Sequence, residues 1–317
     1  MGLSKLLDHH HRQVNRKAWG DLRGFTEALK TAGQLKTVAQ PVSPHLQVTA
    51  LCHRSLVNNG PALLFENLQG YDMPALGNLF GNQQRVLAAL ELENPQGLRA
   101  LGHEFAFLRN PHLPDSRQSA LDVVPGFAKL AHVTPKKKDK APWQENVIEG
   151  PDVDLGILPI ATCWPEDAAP LITWGMVITQ GPNKPRVNLA IYRLQVIGKN
   201  KLIMRWLAHR GGAQDFREFQ QLNPGKPYPV SVAIGTDPAT LLAAVTPIPD
   251  TLSEYQFAGL LRGKRSRIVQ STLTGLPVPY GAEIVLEGHI YPDEMATEGP
   301  FADHTGYYDS QAEFPVL

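Results

Sequence analysis

Two polar residues stand inside an apolar run that predicts a β-strand. The run VNLAIYRLQV carries Asn188 at its start and Arg193 further along. Residues five apart face opposite sides of a regular strand, so both side chains reach one site only across a bulge or at a strand end. A guanidinium buried here would need an anionic partner. The alternative is that Arg193 lies on an exposed face of the strand.

A second polar group follows in the segment RWLAHRGG, residues 205–212, where a predicted strand gives way to a helix. Arg205 and Arg210 carry guanidinium groups that match the geometry of phosphate, and His209 could be a metal ligand. Glycines allow close approach to the backbone, and a helix N-terminus attracts phosphate. The alternative is a helix-entry turn with a surface histidine.

Acidic residues complete the set of candidates. The segment EGPFADHTGYY, residues 298–308, holds Glu298 and Asp303 among glycines and tyrosines, which suits an acid/base lid or a polar surface loop. Glu254 follows Asp250 and Ser253, either of which could cap a helix and leave Glu254 as an ordinary acid of the first turn.

The side-chain types indicate which metal this chain could bind. Asn188, Glu254 and His209 form an oxygen-rich set with one imidazole, which suits Mn²⁺ or Mg²⁺ bridged to a phosphate better than structural zinc. The two cysteines, Cys52 and Cys163, lack metal-type spacing, so a cysteine-built zinc site is excluded. The sequence contains no Walker loop, Gly-x-Ser-x-Gly elbow, dinucleotide fingerprint or His-Glu-x-x-His motif.

The elements that must position these residues change character along the chain. Helical and strand-like runs alternate from residue 21 to about 125, which predicts a mixed α/β domain. From 126 onward short strands dominate, with helices at about 213–222, 237–246 and 252–262, which predicts a β-barrel or sandwich. We therefore expect an α+β fold.

The lysine run 136–138 could contact phosphates or an anionic membrane surface, and the preferred interpretation is a solvated linker.

Composition limits the class of protein. The 317 residues include 43% hydrophobic residues, enough for a core, and 30 basic residues balance 30 acidic ones. That balance argues against a nucleic-acid-binding protein. The histidines at 9–11 are interpreted as part of a solvated terminus rather than a metal site.

Four long strings resemble the UbiD family of decarboxylases, and weaker likeness extends through residues 60–81. The strings cover residues 162–175, 188–213, 229–263 and 283–308. The resemblance implies an N-terminal α/β domain, here 21–125, followed by a split β-barrel, here 126–317, that binds prenylated FMN. Residues 1–20 match nothing in the family. The resemblance also predicts a further strand beyond Leu317, so we expect the family's C-terminal region to be absent.

The resemblance assigns roles residue by residue. Asn188, Glu254 and His209 correspond to ligands of a divalent metal, typically Mn²⁺, beside the flavin phosphate. Arg193, Glu298 and Asp303 correspond to the catalytic network, with Asp303 as proton donor. The segments that hold the cofactor in the family correspond here to Ile191, Tyr192, Arg193, Arg205, Trp206, Leu207, Arg210 and Gly211.

The activity implied is non-oxidative decarboxylation of a 4-hydroxy-3-polyprenylbenzoate in ubiquinone biosynthesis. A flavin prenyltransferase partner would supply the cofactor, and the family predicts a homo-oligomer. A prenylated substrate partitions into lipid, so a cytoplasmic protein at the inner membrane face is expected, with Lys136–Lys138 as one contact. The alternatives are a decarboxylase of a smaller aromatic or cinnamic-type acid, and a cofactor- or partner-binding protein without catalysis.

Overall fold

The N-terminal part of the chain alternates helices and strands, as the sequence predicts. The computed structural model describes residues 19–109, 133–249, 252–303 and 305–317. The first elements are α1 (Leu22–Thr31), β1 (Leu35–Val38), α2 (Gln47–Val57), β2 (Ala62–Phe65), β3 (Ala75–Gly77), α3 (Gln83–Ala89) and α4 (Pro95–Arg109). Strand β2 pairs parallel with β1 and antiparallel with β3. The expected domain boundary near 125, like the histidines at 9–11, lies outside the described residues.

Helix α1 shows how local sequence sets these elements. Asp21 caps it by accepting a hydrogen bond from the backbone N–H of Gly24 at 2.9 Å. Phe25 and Leu29, four residues apart, lie on one face and are buried against β1 and β2. Gly33 then adopts φ +67°, a conformation that favours glycine, and the chain turns into β1.

A five-stranded antiparallel sheet forms the central part of the chain. Its order is β11-β8-β5-β6-β7, with the bounds β5 (Leu171–Thr179), β6 (Asn188–Gly198), β7 (Lys201–Met204), β8 (Tyr228–Ile234) and β11 (Ile284–Ile290). A short turn after Gly198 joins β6 to β7, and the two strands pair antiparallel. The α+β class expected from the sequence is thereby confirmed.

Both faces of this sheet are covered, which explains why its strands read as nearly continuous apolar runs. One face packs against α5 (Gly211–Leu222). The other packs against α7 (Glu254–Arg262) and the smaller strands β9 (Arg267–Gln270) and β10 (Pro277–Pro279). Helix α6 (Pro238–Ala244) packs against α7. Three 3₁₀ turns, Pro142–Gln144, Gly150–Asp152 and Leu155–Ile157, precede the sheet.

The lysine run differs from its expected form. Lys136–Lys138 is a strand, β4, that pairs parallel with β9, and all three lysines are exposed. The interpretation as a linker is therefore wrong for the backbone, because the main-chain groups of β4 bond to a sheet edge while the side chains stay in solvent. The backbone N–H of Lys136 donates to the carbonyl of Ser266 at 2.7 Å.

A final hairpin attaches to the free edge of the large sheet. Strand β12 (Met295–Glu298) pairs antiparallel with β13 (Ala312–Pro315). Beyond β13, the backbone of Leu317 exchanges two hydrogen bonds of 2.8 Å with Leu202 on β7. The hairpin thus brings the loop after Glu298 to the edge strand that carries Arg205 at its end. Within the described residues, none of the helices has the length and apolar character needed to cross a membrane.

Candidate active site

Arg193 on β6 and Glu298 at the end of β12 form a two-point ion pair. The Nε and Nη2 atoms of the guanidinium donate to the two carboxylate oxygens at 2.6 and 3.0 Å. Glu298 is fully buried, and the Arg193 side chain keeps 15% of its surface exposed. Burial alone would lower the pKa of Arg193, but its bonds to Glu298 and Asp309 more than offset this and hold the pKa above its ordinary value. Arg193 is thus a permanent cation with a defined partner.

Two further residues complete this charged cluster. The Arg205 NH1 donates to Glu298 at 2.9 Å, and its backbone N–H donates to the Arg193 carbonyl at 3.4 Å. Asp309 accepts from Arg193 NH1 at 2.9 Å and lies 3.3 Å from Arg205 NH2. Two cations therefore face two anions. Asp309, which lies one residue past the segment 298–308, was missed from the sequence because nothing local marks it as a partner of β6.

Asp303 lies in the loop that joins β12 to β13. Its Oδ1 accepts from the Thr305 backbone N–H at 2.8 Å and from the Thr305 hydroxyl at 2.5 Å. Its backbone N–H donates to the Tyr307 carbonyl at 3.3 Å. The described contacts of Arg193 go to Glu298 and Asp309, and Asp303 lies in the loop that follows Glu298.

This loop is anchored by a residue that the sequence did not single out as functional. Asp167 accepts from the backbone N–H groups of Cys163 and Trp164 through Oδ2, at 3.2 and 2.9 Å. Its Oδ1 accepts from the N–H of Ala302 at 3.1 Å, next to Asp303. The same segment gives a 3.0 Å bond from the Glu166 N–H to the Tyr308 hydroxyl. Residues 163–167 therefore set the position of the acidic loop.

A second polar cluster lies where β6 begins and α5 begins. Asn188 is buried and donates to the Thr179 hydroxyl at 3.2 Å. Tyr192 accepts from the backbone N–H of Gly212 at 3.2 Å. Four residues apart, Asn188 and Tyr192 share one face of β6, and Arg193 faces the other side, as the odd spacing from Asn188 predicts.

Position 211, at the start of α5, requires glycine because the Asn188 side chain approaches its backbone closely. A Cβ at this position would lie 2.3 Å from the Asn188 Oδ1, so any side chain would displace the amide. The predicted helix entry with close backbone approach is therefore present in the structure.

Glu254 is the first residue of α7 and is buried, although its position in the sequence allowed an ordinary exposed acid. Ser253 caps the helix, with Gln256 completing a capping box. The Glu254 Oε2 accepts from the backbone N–H of Leu189 at 3.0 Å, which places the carboxylate beside Asn188. Burial raises the pKa of Glu254, and the Leu189 N–H opposes that shift.

Asn188 and Glu254 fit a hard divalent cation. An amide oxygen and a desolvated carboxylate are oxygen donors that Mg²⁺ and Mn²⁺ accept when phosphate or water supplies the other ligands. The expected third ligand, His209, lies exposed on the turn before α5. In the ranges 19–109, 133–249, 252–303 and 305–317, the structure contains no group of three His, Cys, Asp or Glu side chains that could hold a metal ion.

The remaining predicted cofactor residues lie around these two clusters. Trp206 is buried against Tyr192, and its indole Nε1 is a buried donor without a hydrogen-bond partner. An unpaired buried donor is costly, so it marks a position where a bound group could accept a hydrogen bond. Leu207 and Arg210 are exposed, and Ile191 is half-buried.

One buried ion pair beside Asn188 was not anticipated. Asp215 on α5 is 1% exposed, accepts from the Thr179 hydroxyl at 2.9 Å and pairs with Lys184 at 3.0 Å. It fixes Thr179, the partner of Asn188, and so holds the amide in place. A lone aspartate in a helix carries no local signal of this role.

The fold and the two clusters together define an α+β protein with an oxygen-donor site and an arginine–carboxylate site on one strand. Two family models match this chain. The 3-octaprenyl-4-hydroxybenzoate carboxy-lyase Rift-related domain matches residues 134–317, and the N-terminal domain of the same family matches residues 26–105. The first match spans more than half of the chain, and the chain belongs to the UbiD family.

Solved structures of UbiD-class enzymes share this architecture. The UbiD-class enzyme HmfF from Pelotomaculum thermopropionicum, in complex with FMN, is 29% identical with a TM-score of 0.76, covering 93% of this chain and 60% of that chain. Its evolved dimeric form in complex with prFMN is 28% identical, with a TM-score of 0.78 and coverages of 94% and 64%. Vanillic acid decarboxylase from Sedimentibacter hydroxybenzoicus, in closed form, is 29% identical with a TM-score of 0.80, covering 95% of this chain and 61% of that chain. The chain thus spans about three fifths of the length of these structures.

Proposed function

We propose that this chain carries the catalytic site of a prenylated-FMN-dependent decarboxylase that removes carbon dioxide from an aromatic carboxylate. The observation that carries the proposal is the buried Arg193–Glu298 pair at the base of the acidic loop, in a chain of the UbiD family. When bound, the prenylated flavin supplies the electron sink that this reaction needs and that no side chain offers.

The charged residues of this site have different proposed roles in the reaction. Arg193 and Glu298 form a rigid charged pair because each is held by two bonds to the other, and Arg205 and Asp309 fix its orientation. Asp303, held by Thr305 in the adjoining loop, donates a proton from its carboxyl group to the ring carbon that has lost carbon dioxide. Closure of the loop around Asp303 would exclude water and bring this proton to the substrate.

The residues proposed to hold the cofactor lie on β6, after β7 and at the start of α5. Asn188 and Glu254 would hold a divalent cation, Mn²⁺ or a similar ion, beside the flavin phosphate, with His209 reaching it from the turn before α5. The start of α5, with Gly211 against Asn188, offers backbone N–H groups to the same phosphate. Ile191, Tyr192, Trp206, Leu207 and Arg210 would line the flavin.

The finer proposal is a 4-hydroxy-3-polyprenylbenzoate substrate in ubiquinone biosynthesis. The description of the matching family supports it, and so does Trp174, an apolar side chain 44% exposed in the irregular stretch of β5 opposite Arg193. The second candidate is a smaller aromatic acid, favoured by the similarity to the vanillic acid decarboxylase. A prenylated substrate also implies contact with the inner membrane face, and the family implies a homo-oligomer supplied by a flavin prenyltransferase.

The test is to co-express the chain with a flavin prenyltransferase and to record the absorption spectrum and the mass of the released cofactor. Carbon dioxide release is then measured with 4-hydroxy-3-polyprenylbenzoate and with vanillate. Bound prenylated flavin and turnover of either acid support the proposal, and preference for one acid decides the substrate class. A folded chain that binds no flavin, or that binds it and converts neither acid, contradicts the proposal.

A further inference from the structure

A cavity beside α7 has a strongly basic lining. It encloses about 240 Å³ between Trp19, the end of α7 and the strands β9 and β10. Among the described residues that line it, four are cationic and one, Asp237, is anionic; the cations are Arg262, Lys264, Arg265 and Arg267. None of the residues assigned above to flavin, metal or catalysis belongs to the lining.

The single carboxylate does not neutralise these charges. Arg262 bonds to Asp237 at 2.5 Å and to the Thr240 hydroxyl at 2.8 Å. Its side chain is 90% buried, and its Nε is a buried donor without a hydrogen-bond partner. Removing that donor from water costs free energy unless something accepts its hydrogen bond. The Nε of Arg262 is therefore a buried donor without a partner, in a residue that lines the cavity.

The other three cations have neutral partners or none. Arg265 donates to the carbonyls of Thr134 and Pro135, at 2.6 and 3.2 Å, and these acceptors leave its charge uncompensated. Arg267 donates to the Gly20 carbonyl at 3.3 Å and lies over the Tyr280 ring. Within the part of the chain that the structure describes, the Lys264 ammonium has no hydrogen-bond or ion-pair partner. Like charges gathered in a concave site raise the local concentration of anions.

Strand β4 extends this positive surface. Lys136 is the register partner of Arg267 in the parallel pair of β4 and β9. Lys136 thus lies beside Arg267 and would attract anions toward the cavity. The C-terminal end of α7 opposes anion binding through its dipole, but this partial charge is outweighed by the three cations that are not paired with Asp237.

We propose that this cavity binds a small molecule that carries one or two phosphate groups. Guanidinium forks match phosphate oxygens in a two-point geometry, and Arg265 and Arg267 line this cavity without a carboxylate partner among the described residues. A volume of 240 Å³ equals that of about eight water molecules, enough for a diphosphate. The phosphate could belong to a free metabolite or to a lipid headgroup, since both offer the same dianionic oxygens.

The test is calorimetric titration of the purified chain with inorganic pyrophosphate. Lys264→Gln and Arg267→Gln should each weaken binding about tenfold or more, because each removes a charge-assisted contact. Lys138→Gln is the matched control, since it removes the same charge from neighbouring β4 outside the cavity lining. Both substituted cavity residues are exposed, so the variants are expected to fold, and circular dichroism checks this.

A second arm separates the two sources of phosphate. Vesicles of phosphatidylcholine with phosphatidic acid are tested for binding with and without pyrophosphate. If pyrophosphate binds and the binding depends on Lys264, the ligand is a soluble phosphate compound. If pyrophosphate does not bind but vesicles do, and vesicle binding depends on Lys264, the ligand is a lipid headgroup. The proposal is overturned if neither probe binds, or if Lys138→Gln weakens binding as much as Lys264→Gln does.

Discussion

The Glu298 carboxylate and the Arg193 guanidinium are joined by two hydrogen bonds although 105 residues separate them in the chain. Glu298 also accepts from Arg205, so one fully buried carboxylate holds two cations from neighbouring strands. The strand pairing of β6 and β7 places the two arginines side by side, and the β12–β13 hairpin delivers the carboxylate. The charged site therefore depends on how the hairpin attaches to the sheet edge.

Glu298→Gln should lower both stability and turnover. It leaves Arg193 and Arg205 facing the single carboxylate of Asp309, and removing one partner of a buried ion pair costs about 3 kcal/mol. Turnover should fall about a hundredfold or more if the pair takes part in proton transfer. The free energy of unfolding is measured by urea denaturation. The control is Glu294→Gln, which breaks an exposed pair with Lys201 and should cost less than about 1 kcal/mol. Equal losses in the two variants would contradict the role given to Glu298.

Asp303→Asn should keep the fold and the bound cofactor but abolish turnover. An asparagine Oδ1 can still accept the two hydrogen bonds from Thr305, so the loop keeps its conformation, but an amide cannot donate the required proton. The cofactor spectrum and carbon dioxide release are measured on the same preparation. Asp303→Glu, which keeps a carboxyl group, should retain part of the activity. Decarboxylation at the wild-type rate by the asparagine variant would remove Asp303 from the role of proton donor.

Glu254→Gln should abolish stabilisation by a divalent metal. The carboxylate is buried beside Asn188, and the neutral amide keeps the oxygen that accepts from the Leu189 N–H. We expect Mn²⁺ to raise the melting temperature of the wild-type chain and to leave that of the variant unchanged. Glu145→Gln, at an exposed carboxylate, is the control and should respond to Mn²⁺ as the wild type does. A full response of Glu254→Gln would show that the metal binds elsewhere.

Replacing Lys136, Lys137 and Lys138 together with alanine should weaken binding to anionic vesicles. The three ammonium groups are exposed on one edge strand, and each basic residue near an anionic surface contributes about 1 kcal/mol. The backbone pairing of β4 with β9 does not need the side chains, so the fold should persist. Sedimentation with vesicles of increasing anionic lipid content measures the effect. Unchanged binding by the triple variant would exclude this strand as the membrane contact.

The two cysteines should react slowly with alkylating reagents in the folded chain. Burial, aided by the neighbouring Cys163, raises the pKa of Cys52 to about 11, and burial likewise raises the pKa of Cys163. Both groups are thus protonated at neutral pH, and the thiolate is the reactive form.

Because the pKa of Cys52 is raised in the folded chain, its contribution to stability is present at neutral pH and is lost as the pH rises through about 11. Mass spectrometry of iodoacetamide labelling against pH measures this, with the denatured chain as control. Labelling of the folded chain as fast as the denatured chain at neutral pH would contradict the burial.

Local sequence patterns predict the helices and strands and most of the residue types in the candidate site. In α1, Asp21 caps the helix and the buried apolar residues are four apart, and β5, β6 and β8 are long apolar runs. Such patterns are readable from sequence because hydrophobic periodicity and capping act over a few neighbouring residues. The odd spacing of Asn188 and Arg193 likewise predicts that they face opposite sides of β6. The long strings shared with the UbiD family indicate the family from the sequence alone, and the family models confirm it.

The partners of the charged and polar side chains follow from the three-dimensional arrangement of the strands and helices. Asp309 joins Arg193, Glu254 becomes buried beside Asn188, and Lys136–Lys138 forms a strand against β9, none of which local pattern indicates. The basic cavity likewise assembles residues from the end of α7 and from β9 with the chain near Trp19. The physical reason is that the pairing of charges depends on distances through space, which strand order and hairpin attachment set, whereas spacing along the chain constrains only the few residues of one element.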